Sequence, residues 1–329
     1  MRLLVLGGTA WVGGQVAAEA LRRGHEVVCL ARGESGQVPE GATLVRGDRD
    51  AVEGYAGLTG AFDAVVDVAR DPQHVRTATE ALSSRAGHWV FVSTSSVYAD
   101  ERTPGADESA QLRPALSPDE RWTEERYAEG KVAAEQHLLA TLGADRVLVA
   151  RAGLIAGPGD VSGRTGYWPL RFAHPATDDG SVLVPDSPDL VTQQLDVRDL
   201  AAWLVEAAER QVSGVVDAVG EQVRLPDYLS LVREVTGHQG PVVARSPEWL
   251  AEHEVAPWMG PRSLPLWLPL PDYAGFTARR GDRAPALGLR RRPLAETVAD
   301  VLAWELRHGP GRPRRAGLTA HEERGLLEA

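Results

Sequence analysis

The stretch LLVLGGTAWVGG, residues 3–14, limits what this chain can fold into more than any other. A short apolar run at 2–6 ends in Gly7-Gly8, and residues 12–23 then follow with helical spacing until Gly24 stops them. That is a strand, a glycine turn and a helix. Four more apolar runs of strand length come next: EVVCLA (26–31), ATLVRG (42–47), FDAVVDVA (62–69) and HWVFVS (88–93). Segments of helical character at 50–58 and 72–86 separate the later ones. Strands alternating with helices imply an α/β fold whose parallel sheet is covered on both faces.

Further along, 100–120 is acidic, proline-bearing and aperiodic, a loop. A helix at 122–143 and a strand at 146–155 follow it. Beyond 156 the rhythm breaks, with Pro and Trp dense in YWPLRF and LPLWLPLPDY and helices at 197–210, 226–236 and 294–309. RHGPGRPRR, after the last of these, reads as a tether. The expected architecture is a Rossmann-type doubly wound parallel sheet over 1–155, to which elements at about 190–220 return. A smaller substrate lobe with a C-terminal helix fills 156–329.

Composition narrows the setting. A 43% apolar chain of 329 residues has ample core, and it contains no run long enough to span a bilayer. Cys29 is the lone cysteine, so no internal disulfide can form, and with no secretory leader apparent a cytoplasmic setting is expected. The net charge of −11 repels polyanions. The expected partner is therefore a small molecule, with no membrane, nucleic acid or metal, for a monomer or homodimer.

Chemistry enters at the glycine turn. In a dinucleotide-binding turn one glycine permits the bend, one lets the backbone approach the pyrophosphate and one allows close helix packing. Gly7 and Gly13 take the outer positions here and Ala10 the middle one, with Thr9, Ala10, Trp11 and Val12 forming the rest of the cradle. Trp11 is expected to pack under the turn. The second strand ends at Ala31-Arg32, without the acid that would bind a ribose 2′-hydroxyl. Arg32 favours a 2′-phosphate, hence NADP(H), while Glu34 leaves NAD(H) open. Asp48, just past the third strand, stands where an adenine contact is expected.

Of 35 basic residues 34 are arginine, so the single lysine carries information. Lys131 stands four residues after Tyr127 in RYAEGKVAAE, which on a helix puts phenol and ammonium on one face. A compact ammonium can bond ribose hydroxyls and lower the pKa of a nearby phenol toward neutrality, making Tyr127 an acid–base group. Thr94, Ser95 and Ser96 lie at the C-terminal edge of the strand at 88–93, where open α/β sheets place their ligands. In GPGDVSGRTGYWPLRF (157–172), Arg164, Tyr167 and Trp168 are candidates to hold a substrate by charge and stacking.

LGGTAWVG, VSTSSVYA, YAEGK and RAGLIAGPGD, in this order, resemble the extended short-chain dehydrogenase/reductase superfamily, also called the NAD-dependent epimerase/dehydratase family. The resemblance implies that Thr94 is the substrate-facing hydroxyl, Tyr127 the catalytic acid/base and Lys131 its ribose-binding partner. It also implies that Val68 and Ala69 pass beside the cofactor's ribose, with Leu154 and Ile155 flanking the nicotinamide. Departures narrow the activity. Dehydratases of nucleotide-linked hexoses carry Asp-Glu after the threonine, where Ser95 and Ser96 stand, and the asparagine that epimerases use to hold a diphosphate has no counterpart in a chain without asparagine. GGTAWVG looks instead like the atypical branch with isoflavone-reductase-like and chloroplast stem-loop-binding relatives. The reading is an NADP(H)-dependent oxidoreductase acting on a carbonyl or alcohol of a small, partly apolar or sugar-like metabolite. The alternatives are an NAD-dependent nucleotide-sugar epimerase or dehydratase, and a non-catalytic NADP-binding or RNA-binding scaffold.

Overall fold

The computed structural model describes residues 1–309 and 311–329. The lobe that carries the large sheet is built from β1 (Arg2–Leu6), α1 (Trp11–Arg22), β2 (Glu26–Ala31), β3 (Thr43–Arg46), β4 (Phe62–Asp67), α2 (Pro72–Leu82), β5 (Ala86–Thr94), α3 (Tyr127–Leu142) and β6 (Val147–Ala152). After β7 (Leu154–Ala156), α4 (Arg164–Ala173), β8 (Val182–Pro185), β9 (Val191–Asp196) and α5 (Val197–Glu209), the chain returns as β10 (Gly214–Ala218). Seven strands pair in the order β10-β6-β5-β4-β1-β2-β3, every neighbouring pair parallel. The α/β, doubly wound reading holds.

Burial of both sheet faces follows from the two-residue period of a strand. Leu3 and Val5, Val27 and Cys29, and Val90 and Val92 point into a core shared with α1 and α5. Leu4 and Leu6, Val28 and Leu30, and Trp89 and Phe91 point the other way, onto α2 and α3. Near-continuous apolar strands are thus what a sheet covered on both sides requires.

Three local readings change. The segment at 50–58 is only a single 3₁₀ turn, Val52–Tyr55, packed so closely on the preceding loop that a Cβ on Gly54 would stand 1.6 Å from the Asp48 carbonyl oxygen. The apolar run at 146–155 splits at Gly153, β6 staying in the large sheet while β7 pairs with β9 in a three-stranded sheet of the second lobe. Of the supposed tether, Pro310 lies outside the described residues, and Arg312 and Arg314 fasten onto the buried carboxylate of Glu305, each at 2.6 Å. This segment is docked by charge. The second lobe has a core of its own around Trp168, Tyr228, Leu264 and Trp267. No helix among the described residues is long and apolar enough to cross a membrane.

Candidate active site

The C-terminal ends of β1, β2 and β4 open into a cleft of about 350 Å³ walled by Gly7, Thr9, Ala10, Arg32, Asp48 and Val68 among others. Its floor depends on glycine. Gly7 has φ of +97°, and a Cβ there would meet Val68 at 2.7 Å. Gly13, one turn into α1, has no room for a methyl, which would stand 2.2 Å from the Gly7 carbonyl oxygen. Val12 packs against the core beside it. No side chain caps the N-terminus of α1, whose N-cap is Ala10. Its first amides and the positive end of its dipole are therefore left for an anion, the feature that a dinucleotide's pyrophosphate requires.

Trp11 does not pack under the turn. Its indole nitrogen donates to the Pro158 carbonyl at 2.9 Å, tying the turn to the loop after β7. At the far end of the cleft Arg32 is exposed and paired with Glu34 at 3.2 Å, and Arg46 donates to the Arg32 carbonyl at 3.3 Å. Two guanidiniums therefore gather where β2 and β3 end. Asp48 stands beside Asp50 and His74 at the same rim, their ligand atoms within 4.8 Å of one another.

Val68 and Ala69 are held in place by a buried ion pair that the sequence reading missed. Asp67, the last residue of β4, accepts from Arg49 at 2.9 and 3.0 Å and from the Ala69 amide at 2.9 Å. The signal was present: an aspartate inside DAVVDVA is a buried acid that needs a cation.

The catalytic candidates meet at the end of β5. Thr94 closes that strand, Tyr127 opens α3 and Lys131 lies one turn further on. Lys131 is 2% exposed, donates to the Ala69 and Val92 carbonyls at 2.6 and 2.5 Å, and lies 4.5 Å from the centre of the Phe91 ring. An ammonium has three protons, so one remains for a ligand. Burial pulls its pKa down to about 7, against the attraction of the Asp67 and Glu135 carboxylates. The Thr94 hydroxyl accepts the Ser96 amide at 3.2 Å and faces both the Ser96 hydroxyl and the Tyr127 phenol. Ser95 is buried in the turn between them.

Lys131 does not bring the phenol to neutrality. Burial holds Tyr127 above the ordinary value of 10, and the leading opposition comes from the Thr94 hydroxyl, then from the guanidiniums of Arg70 and Arg164. Arg70, also missed, lies 5.2 Å from the centre of the Tyr127 ring and pairs with Glu124. It follows Val68-Ala69 directly, and that adjacency was the available signal.

The charge of Arg164 acts on the Tyr127 phenol, while Tyr167 and Trp168 lie in the second lobe. Trp168 is fully buried in the second core, its indole donating to the Pro265 carbonyl at 2.7 Å. Tyr167 borders a different cavity, of about 590 Å³, between α4 and residues 311–320. Arg164 opens α4, and Tyr167 and Trp168, one turn further along that helix, are buried in the core of the second lobe. Leu154 and Ile155 pair with Gln194 and Leu195 of β9.

The sequence model of the NAD dependent epimerase/dehydratase family matches residues 3–219. The chain belongs to that family. Solved structures agree with this member's fold along nearly its whole length. The UDP-glucose 4-epimerase of Thermotoga maritima, with UDP-glucose, is 16% identical with a TM-score of 0.67, over 94% of this chain and 99% of that one. The UDP-glucose 4-epimerase of Thermus thermophilus, complexed with NAD, is 21% identical with a TM-score of 0.64, over 92% and 98%. At such identities the likeness is one of fold. The photosystem II assembly factor Ycf39 of Synechocystis sp. is 36% identical over 92 residues, which spans 27% of each chain.

Proposed function

We propose that this family member is an NADP(H)-dependent oxidoreductase interconverting a carbonyl and an alcohol, with Tyr127 as the acid–base group. The observation that carries the reading is the grouping of Thr94, Tyr127 and Lys131 at the end of β5, beside a cleft whose helix N-terminus is left uncapped. The bound nicotinamide supplies or accepts the hydride. The chain's own residues do the rest. The free amides of α1 hold the pyrophosphate, and the third proton of Lys131 bonds a ribose hydroxyl. The Thr94 hydroxyl orients the substrate oxygen, and the Tyr127 phenol gives that oxygen its proton on reduction or takes it on oxidation.

The cleft also supports NADP(H) over NAD(H). Arg32 and Arg46 gather at the adenosine end, and the strand-end position that would carry an acid for a 2′-hydroxyl is Ala31. The Arg32–Glu34 pair is exposed, so it contributes little and yields readily to a phosphate.

Titrating the protein with NADPH and NADH by nicotinamide fluorescence tests this. Tight NADPH binding is expected, at least tenfold weaker for NADH and for the Arg32→Ala protein, and impaired by Lys131→Ala. Equal affinity for the two cofactors would remove the NADP preference, and no binding of either would end the oxidoreductase reading. Once a substrate is in hand, Tyr127→Phe should slow turnover by about 10²–10⁴-fold. Cofactor that stays bound through purification and cycles without net oxidation would instead favour epimerisation.

A further inference from the structure

The second lobe holds a cavity that the proposed reaction does not use. It measures about 590 Å³, within the range of about 300–1,000 Å³ typical of small-molecule sites, and lies between α4 and residues 311–320. It shares no lining residue with the cleft at the ends of β1, β2 and β4. One wall is a single face of α4, formed by Tyr167, Leu170 and Arg171, with His174 just past the helix end. The opposite wall is the C-terminal segment, and it is tied down along its length. Arg312 and Arg314 close on Glu305 at 2.6 Å each, while Arg171 of the first wall pairs at 2.6 Å with Glu323 of the terminal helix Ala320–Glu328. Between these ties Ala316–Gly317 pairs with Gly260–Pro261, and Gly317 fits so closely over Tyr167 that a Cβ would stand 2.3 Å from its ring.

What these walls offer in charge is basic. Arg171, Arg312, Arg314 and His174 line the cavity, and no acid among the described residues does. The balancing carboxylates, Glu305 and Glu323, are 2% and 0% exposed and form no part of the lining. Arg312 commits Nε and Nη2 to Glu305, and its guanidinium lies 4.8 Å from the centre of the Trp304 ring. Its Nη1 has no hydrogen-bond partner among the described residues and is not sealed from the open space. Most of the remaining lining is apolar, with Leu170, Pro175, Pro313, Ala316 and Leu318. A bare anion would leave that apolar surface uncovered, and a polyphosphate would meet guanidiniums whose charge carboxylates already answer. A carboxylate on an apolar body suits both parts: the oxyanion accepts charge-assisted bonds from the arginine wall, and the body displaces water from the apolar one.

We propose that this cavity is a second binding site, one that takes a small organic carboxylate with an aromatic or aliphatic body. Arg312 is its principal anion contact. The site stands apart from the oxidoreductase reading and would survive its failure.

The probes are 2-naphthoate and its uncharged counterpart 2-naphthamide, titrated calorimetrically with and without NADPH, with thermal melts confirming that each protein is folded. Wild type should bind one equivalent of naphthoate about tenfold more tightly than the amide, with NADPH making no difference. Arg312→Gln should lose that preference and Arg312→Lys keep part of it. Because Arg312→Gln also takes one partner from buried Glu305, Leu170→Trp provides a second variant. It fills the cavity, leaves every ion pair in place and should abolish binding of both probes. No naphthoate binding at millimolar concentration, equal affinity for acid and amide, displacement by NADPH, a preference that survives in folded Arg312→Gln, or unchanged affinity in Leu170→Trp would overturn the proposal.

Discussion

Lys131 is a buried ammonium carried at the expense of stability, and replacing it should show how large that expense is. Burial lowers its pKa from the ordinary 10.5 to about 7, so at neutral pH the unfolded chain holds this proton more firmly than the folded one. At about 1.36 kcal/mol for each tenfold, the group opposes folding by about 4 kcal/mol at pH 7. Because the folded pKa is the depressed one, the penalty is full below pH 7 and fades as pH rises toward 10.5. Between pH 7 and pH 9 it shrinks by about 2 kcal/mol. Lys131→Met removes the titration, at the cost of leaving the Ala69 and Val92 carbonyls without this donor. That cost does not vary with pH, so it cancels when two pH values are compared. Urea denaturation of both proteins at pH 7 and pH 9 should find that wild type gains about 2 kcal/mol relative to the variant on going to the higher pH. A difference between the two proteins that stays constant across this window would refute the desolvated-ammonium argument.

Other perturbations follow from the same geometry. Gly13→Ala forces a methyl to within 2.2 Å of the Gly7 carbonyl, so it should cost about 1–3 kcal/mol in a urea melt and weaken dinucleotide binding as the turn is displaced. Asp217 is fully buried between the Tyr98 hydroxyl at 2.6 Å and Arg279 at 2.8 Å. Asp217→Asn should cost about 3 kcal/mol, read by chemical denaturation, because it leaves a buried guanidinium without its counter-ion. His88 is buried with its pKa pushed below the ordinary 6.5, chiefly by loss of hydration. The unfolded chain therefore takes up this proton first, and stability should fall as pH drops below about 6.5. A His88→Phe protein should show a shallower loss of melting temperature between pH 7 and pH 5.5.

Local chemistry was readable in the sequence wherever it depends on neighbours along the chain. Strand, turn and helix at residues 2–22 follow from apolar spacing and glycine, and the two-residue alternation of Leu3 through Leu6 already assigns each side chain to one face of the sheet. Tyr127 and Lys131 share a helix face by arithmetic, and the lone lysine in a chain of arginines marked itself. Tertiary packing alone decided how far each group is from water and which charges meet. Nothing local shows that Arg49 closes on Asp67, that Arg70 comes over the Tyr127 ring, or that Trp168 sinks into the second core. The phenol's pKa was misread for the same reason. Sequence spacing supplied the neighbouring ammonium, whereas desolvation, which opposes ionisation of phenol and ammonium alike, arises only when the whole fold closes around them.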